Sequence, residues 1–241
     1  DELIQFKGEL EKFSGVEITD ERLRNSINVY NETRRLIREL YNLSKSDAPV
    51  ITGAENLSMI LTAMSMPKEQ YNELLKGYLE EAKSRKPLTD YNVRLMLIGS
   101  ALDNPEFIKA IEDSGGLVVT DAMCFGSRYL WEPVEAKDDD LMTSLAESYL
   151  RRTVCPRMVN QHQQLFDFIV DMVNEFKVDG IVFAKMHNCD LWGGENLFME
   201  DRFKKLNIPV LSLEREEVMT NTLQISVRIE AFIEMIEEGG F

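Results

Sequence analysis

The chain has 241 residues, 44% of them hydrophobic, which is enough for a full core in one large domain or two small ones. Forty-two acidic against 27 basic side chains give a formal net charge of −15, which repels polyphosphate backbones, leaves no basic stripe and excludes nucleic acid as a partner. No apolar run approaches a membrane span, no signal-like leader is seen, and three cysteines without a CxxC pair fit neither a secreted disulfide framework nor a zinc ribbon, so a soluble cytoplasmic protein is expected.

From Asp1 the sequence runs directly into an acidic amphipathic helix without an initiator methionine, and the expectation is a portion of a longer polypeptide. Thr19 is placed to cap the next helix, with Asp20 and Glu21 in its first turn and an apolar stripe of Leu23, Ile27, Tyr30, Leu36, Ile37, Leu40 and Tyr41. Thr52 and Glu55 form a capping-box signature for a helix carrying Leu57, Ile60, Leu61 and Met64. Pro67 suits the first turn of another helix reaching Glu81. Lys86-Pro87-Leu88-Thr89-Asp90 reads as a hinge, dividing a helical connector at 1–88 from a second region at 89–241.

Beyond the hinge, strand and helix patterns alternate. Val93 to Ile98 is a short apolar run; Asn104-Pro105 caps a helix with Phe107, Ile108 and Ile111 inward; Leu117 to Thr120 is the second strand. Residues 138–151 and 160–176 read as helices, Ile181 to Ala184 as the third strand, Pro209 to Leu213 as the fourth, and Met219 to Glu238 as a closing helix. Such alternation implies right-handed crossovers and a parallel sheet, here a flavodoxin-like α/β lobe with strand order 2-1-3-4. Ligands are then expected where that order reverses, between the first and third strands.

Cys124 and Cys189 both follow strands, and Cys155 precedes a helix, so three thiols are expected to face one crevice as a soft-metal or iron-sulfur site. The plain alternative is that each is a small buried hydrophobe. His187 stands beside the crevice, whereas His162, in an Asn-Gln-His-Gln-Gln run, reads as a solvated helix-end residue. Gly99-Ser100 and Gly126-Ser127-Arg128 follow strands; they are either turns or anion contacts, with Ser100 and Arg128 the candidates for substrate binding. Trp192-Gly193-Gly194-Glu195 reads as a loop wall over a ligand or as a turn starting a helix. No Walker loop, dinucleotide fingerprint or nucleophile elbow is present.

The runs Gly115-Gly-Leu-Val-Val-Thr-Asp-Ala-Met-Cys-Phe-Gly-Ser-Arg-Tyr-Leu-Trp131, Cys155-Pro156, Asp179-Gly-Ile-Val-Phe-Ala-Lys-Met-His-Asn-Cys-Asp190, Asn207-Ile-Pro-Val-Leu-Ser-Leu-Glu214 and Gln224-Ile-Ser-Val-Arg-Ile-Glu-Ala-Phe232 resemble the 2-hydroxyacyl-CoA dehydratase D-component family, which includes B and C type subunits of ATP-dependent benzoyl-CoA reductases. The likeness covers nearly the whole chain. It implies two flavodoxin-like lobes joined by helices, with a [4Fe-4S] cluster in the cleft between them; this chain matches the C-terminal portion. It also implies that Cys189 is a cluster ligand, that Cys124 and Cys155 match recurring cysteines, and that further ligands come from a first lobe. The implied chemistry is low-potential electron delivery to an acyl-CoA thioester, with a homologous subunit and a separate ATP-dependent iron-sulfur activator as partners. Two other readings stay open: an electron-transfer or cluster-carrying protein without acyl-CoA turnover, and an α/β binding module with inert thiols.

Overall fold

The computed structural model describes residues 1–137, 140–152, 155–158, 160–216 and 222–239. Helices come first: α1 (Glu2–Ser14), α2 (Asp20–Lys45), α3 (Gly53–Ser65) and α4 (Lys68–Lys83). The alternating region follows as β1 (Val93–Gly99), α5 (Pro105–Glu112), β2 (Gly116–Met123), α6 (Ser127–Leu130), α7 (Leu141–Arg151), α8 (His162–Glu175), β3 (Gly180–Met186), α9 (Asp190–Lys205), β4 (Val210–Arg215) and α10 (Thr222–Glu237). Residues 138–139 and 219–221, included in two of the expected helices, lie outside the described residues.

Helix starts follow the capping chemistry written in the sequence. Thr19 accepts from Arg22 N–H, and Thr52 and Glu55 close a reciprocal capping box. Asn104 accepts from Glu106 N–H with Pro105 as the first residue of α5. A second carboxylate reinforces α3: Glu112 accepts from Gly53 N–H at 2.6 Å, Ala54 N–H at 3.3 Å and Val118 N–H at 3.3 Å, tying α3 and β2 to the end of α5. At the opposite helix ends, Arg94 donates to Ser44 O and Phe176 O, both at 2.9 Å, and so satisfies carbonyls that close α2 and α8.

The four strands form one parallel sheet in the order β2-β1-β3-β4. Both faces are covered, as an all-parallel sheet requires. On one face Met96, Ile98, Val119, Ile181 and Phe183 pack against Ile37, Leu40, Tyr41, Leu75, Leu165 and Ile169 from α2, α4 and α8. On the other, Leu95, Leu97, Val118, Val182 and Leu213 pack against Phe107, Ile111, Ile229 and Phe232 from α5 and α10. The helices before the hinge therefore share a core with the sheet. The ladder between β1 and β2 is interrupted once: Leu95 pairs with Val118 and Met96 with Thr120, leaving Val119 as an extra residue. Among the described residues no helix is long and apolar enough to cross a membrane.

Candidate functional site at the carboxyl edge of the sheet

The strand order reverses between β1 and β3, and four segments meet at that edge. β1 ends at Gly99, whose φ of +135° and close approach to the Ala184 carbonyl leave no room for a Cβ. Ser100 follows, buried, with its N–H donating to Ala184 O at 3.2 Å and its Oγ accepting from Met186 N–H at 3.0 Å. Its hydroxyl hydrogen is left to donate elsewhere.

β2 runs further than its apolar stretch suggests and carries a buried carboxylate near its end. Asp121 Oδ1 accepts from Met123 N–H and Ser127 N–H, each at 3.0 Å, and Oδ2 accepts from the Tyr41 hydroxyl. Burial pushes the Asp121 carboxyl above its ordinary range, and burial with the adjoining carboxylate pushes Tyr41 well up. This knot shapes the turn through Cys124 into α6. From α6 the buried Arg128 donates to Ala122 O at 3.4 Å and faces the Trp192 ring at 5.4 Å, with its Nε unpartnered.

β3 ends at Met186, Asn188 takes a positive φ of 61°, and Cys189 is the N-cap of α9. Cys189 N–H donates to Met186 O at 3.0 Å; its half-buried side chain makes no capping bond and packs against the main core. β4 ends at Arg215, the ladder partner of Met186, whose carbonyl accepts from His187 N–H at 2.8 Å. Arg215 is only 7% exposed, and its Nη2 reaches across the end of β3 to Ala101 O and, at 3.4 Å, Ser100 O. Burial lowers its pKa, against the pull of Asp103, Cys124 and Cys189, so both thiols lie within electrostatic reach of one buried cation.

Cys155 is half-buried in the segment before α8, where its carbonyl accepts from Met158 N–H at 2.8 Å. Among the described residues no three His, Cys, Asp or Glu side chains are grouped so as to hold a metal ion. The edge thus sets Cys124 and Cys189 where both act electrostatically on Arg215, and among the described residues it does not gather the three thiols into one metal-holding group. A separate cavity of about 730 Å³ lies between α7 and the start of α8, lined by polar side chains such as Lys137, Glu147, Arg152 and Gln164, with no thiol among the described residues of its wall.

His162 is more than a solvated helix-end residue. Its ring is half-exposed, but Nδ1 lies 2.5 Å from Oε1 of the buried Glu195. Trp192, Gly193, Gly194 and Glu195 are all helical, in the first turns of α9, which settles the choice between loop wall and helix start. Arg215, Tyr41 as a donor and the buried Glu195 are features that sequence reasoning passed over. Asp121 had a visible signal, a carboxylate inside the apolar run Val118 to Met123; Arg215 had none, being one arginine in Leu-Glu-Arg-Glu.

A doubly covered parallel sheet with half-buried thiols and buried guanidinium groups at its carboxyl edge defines an α/β protein of doubly wound type. The chain belongs to the 2-hydroxyglutaryl-CoA dehydratase D-component family, whose model matches residues 1–236. It is 27% identical over 228 residues to the (R)-phenyllactyl-CoA dehydratase beta subunit of Clostridium sporogenes, covering 95% of this chain and 60% of that protein. It is 28% identical over 220 residues to the C subunit of benzoyl-CoA reductase from Thauera aromatica, covering 90% and 57%. Against the (R)-2-hydroxyglutaryl-CoA dehydratase beta subunit of Acidaminococcus fermentans it is 22% identical over 238 residues, covering 96% and 62%. The chain spans about three fifths of the length of the curated relatives it matches.

Proposed function

We propose that this chain is part of a subunit of a 2-hydroxyacyl-CoA dehydratase or ATP-dependent benzoyl-CoA reductase type enzyme, delivering low-potential electrons to an acyl-CoA thioester, with Cys189 as a ligand to a [4Fe-4S] cluster. The observation that carries this reading is that Cys124 and Cys189 follow the ends of β2 and β3, both within electrostatic reach of the buried Arg215. The donor chemistry suits the group: half-buried thiols beside a fixed positive charge favour an anionic iron-thiolate centre. The pair is an incomplete ligand set, to be completed by Cys155 or by donors beyond the described residues.

When bound, the cluster supplies single electrons at low potential. This chain's own residues bind and orient. One electron added to a thioester carbonyl puts negative charge on its oxygen, and Arg128 and the Ser100 hydroxyl are the groups at this edge suited to meet it. Trp192 and Phe183, packed edge to face with centroids 5.6 Å apart, provide an apolar floor that limits water. A homologous subunit and a separate ATP-dependent iron-sulfur activator complete the assembly in this reading, in a reducing cytoplasm.

Anaerobic purification with iron and sulfide analysis, followed by titration with an acyl-CoA, tests it. The expected result is iron and sulfide in the protein, loss of both in Cys189→Ser, and a thioester-dependent spectral change. Iron without that change favours a cluster-carrying protein with no acyl-CoA turnover. Absence of iron after anaerobic reconstitution overturns the proposal.

A further inference from the structure

The buried face of α9 carries Trp192, Glu195, Met199 and Phe203 at helical spacing, and only one of these is polar. Glu195 is 3% exposed in that apolar stripe, and its Oε2 has no hydrogen-bond partner among the described residues. A leucine would pack there without the cost of taking a carboxylate out of water. What the glutamate holds instead is a ring. His162 Nδ1 lies 2.5 Å from Oε1, and Phe198, three residues further along α9, sets its own ring against the imidazole with centroids 5.2 Å apart. A ring nitrogen facing a carboxylate oxygen at hydrogen-bond distance carries a proton, so Nδ1–H donates to Glu195. The opposite nitrogen, Nε2, is left for a ligand or water, and the ring is half-exposed.

The pair belongs to the carboxyl edge of the sheet. α8 ends at the other edge, where Phe176 O accepts from Arg94 at the start of β1. His162 is the first residue of this 14-residue helix and therefore lies about 20 Å away, toward the strand ends. α9 leaves that same edge from Cys189, and Glu195 is in its second turn. One turn before Glu195, on the same buried face, Trp192 sets its ring against the buried Arg128. A cation suited to developing negative charge, a buried carboxylate and the imidazole that it orients thus follow one another along one wall of the edge.

We propose that His162 is the proton donor to the leaving hydroxyl of a 2-hydroxyacyl-CoA, aimed through Nδ1 by Glu195. The inference rests on the dehydratase reading above and adds to it the proton without which hydroxide is a poor leaving group. The step begins after a low-potential one-electron reductant has made the thioester a radical anion. The bond between C2 and the hydroxyl oxygen then breaks with its electron pair going to oxygen, which takes the Nε2 proton of the imidazolium and departs as water. A neutral substrate radical and a neutral imidazole remain, and the imidazole, still protonated at Nδ1, regains its second proton from solvent. Glu195 touches neither substrate nor the transferred proton and is a positioning residue.

Two measurements test it. The chain has two histidines, so nitrogen-15 spectra of the histidine-labelled protein should show His162 protonated at Nδ1. Glu195→Gln should return that ring to the commoner form protonated at Nε2 alone, while the exposed His187 keeps its signals. In the anaerobically purified enzyme, a 2-hydroxyacyl-CoA is compared with its 2-chloro analogue, whose chloride leaves without a proton. His162→Asn keeps an N–H for Glu195 and should lose about 100-fold in kcat on the hydroxy substrate, with KM nearly unchanged and the chloro analogue turned over near the wild-type rate. Glu195→Gln should show the same split to a smaller degree. A His162→Asn enzyme that keeps its rate on the hydroxy substrate, or loses both substrates alike, overturns this inference and leaves the enzyme reading standing. An unprotonated Nδ1 in the wild type does the same. Wild-type enzyme that turns over neither substrate overturns both.

Discussion

Glu112 gives the sharpest test of how burial and hydrogen bonding compete in this fold. Its carboxylate receives three backbone N–H groups, from Gly53, Ala54 and Val118, and hydrogen bonds of this kind favour the charged form. Burial opposes them and prevails, raising the pKa from 4.5 to about 7. The sign of the stability effect follows from which state loses its proton first. Below pH 4.5 both folded and unfolded chains are protonated; above it the unfolded chain ionises while the folded one does not. Stability therefore declines between about pH 4.5 and about 7 and is level beyond. A displacement of this size corresponds to about 3 kcal/mol across the window. Glu112→Gln removes the titration while keeping a carbonyl oxygen for Gly53 N–H. Urea unfolding of both proteins at several pH values isolates the effect as a difference, because every other titrating group is common to both. The wild type should lose stability relative to Glu112→Gln as pH rises through this window. A relative gain with rising pH would show that the three N–H donors outweigh desolvation and would refute the reasoning.

Four further substitutions test stability, each read from chemical denaturation midpoints. Tyr41→Phe removes the hydroxyl donor to the buried Asp121 and should cost about 1.5–3 kcal/mol, whereas an effect near zero would mean the carboxylate finds another partner. Gly99→Ala combines a φ of +135° with a clash against the Ala184 backbone and should cost more than about 2 kcal/mol; Gly77→Ala, mid-helix with open space around it, should instead stabilise by about 0.5–1 kcal/mol. Thr52→Ala removes the side-chain acceptor for Glu55 N–H, leaving the backbone N–H of residue 52 bonded to the Glu55 carboxylate, and should cost about 1 kcal/mol, with the loss confined to the unfolding equilibrium and not to iron content.

The architecture was legible where local chemistry and periodicity agree. Capping at Thr19, Thr52 and Asn104 marks helix starts because an exposed N–H must be satisfied wherever the helix lies. Apolar runs mark the strands because both sheet faces are buried, and the helices between them mark the strands as parallel. The strand ends were not legible. β2 continues through Thr120, Asp121, Ala122 and Met123, and β3 through Lys185 and Met186, because tertiary partners accept polar residues there. Four-residue α6 is set by the Asp121 knot rather than by helix propensity. Gly193 and Gly194 read as punctuation but are carried inside α9 by packing of Trp192, Glu195 and Met199 on either side. At the site, the thiols and Arg128 were visible as residue types at strand ends. Arg215 and Glu195 were not, since a charged residue in a short strand or helix reads as solvated until a fold buries it.

The single unpaired residue at Val119 has a consequence for parity. Side chains along a strand alternate faces, so one inserted position reverses the assignment of everything after it. Were Met96 to pair with Val119 in an uninterrupted ladder, Asp121 and Met123 would exchange sides with Thr120 and Ala122, the tyrosine-bound carboxylate would turn away from the groups that now encircle it, and the turn bearing Cys124 would leave the sheet from the opposite surface. An uninterrupted β1–β2 ladder and the present geometry of the ligand edge are therefore mutually exclusive outcomes of the same strand, separated by a slip of one residue in register.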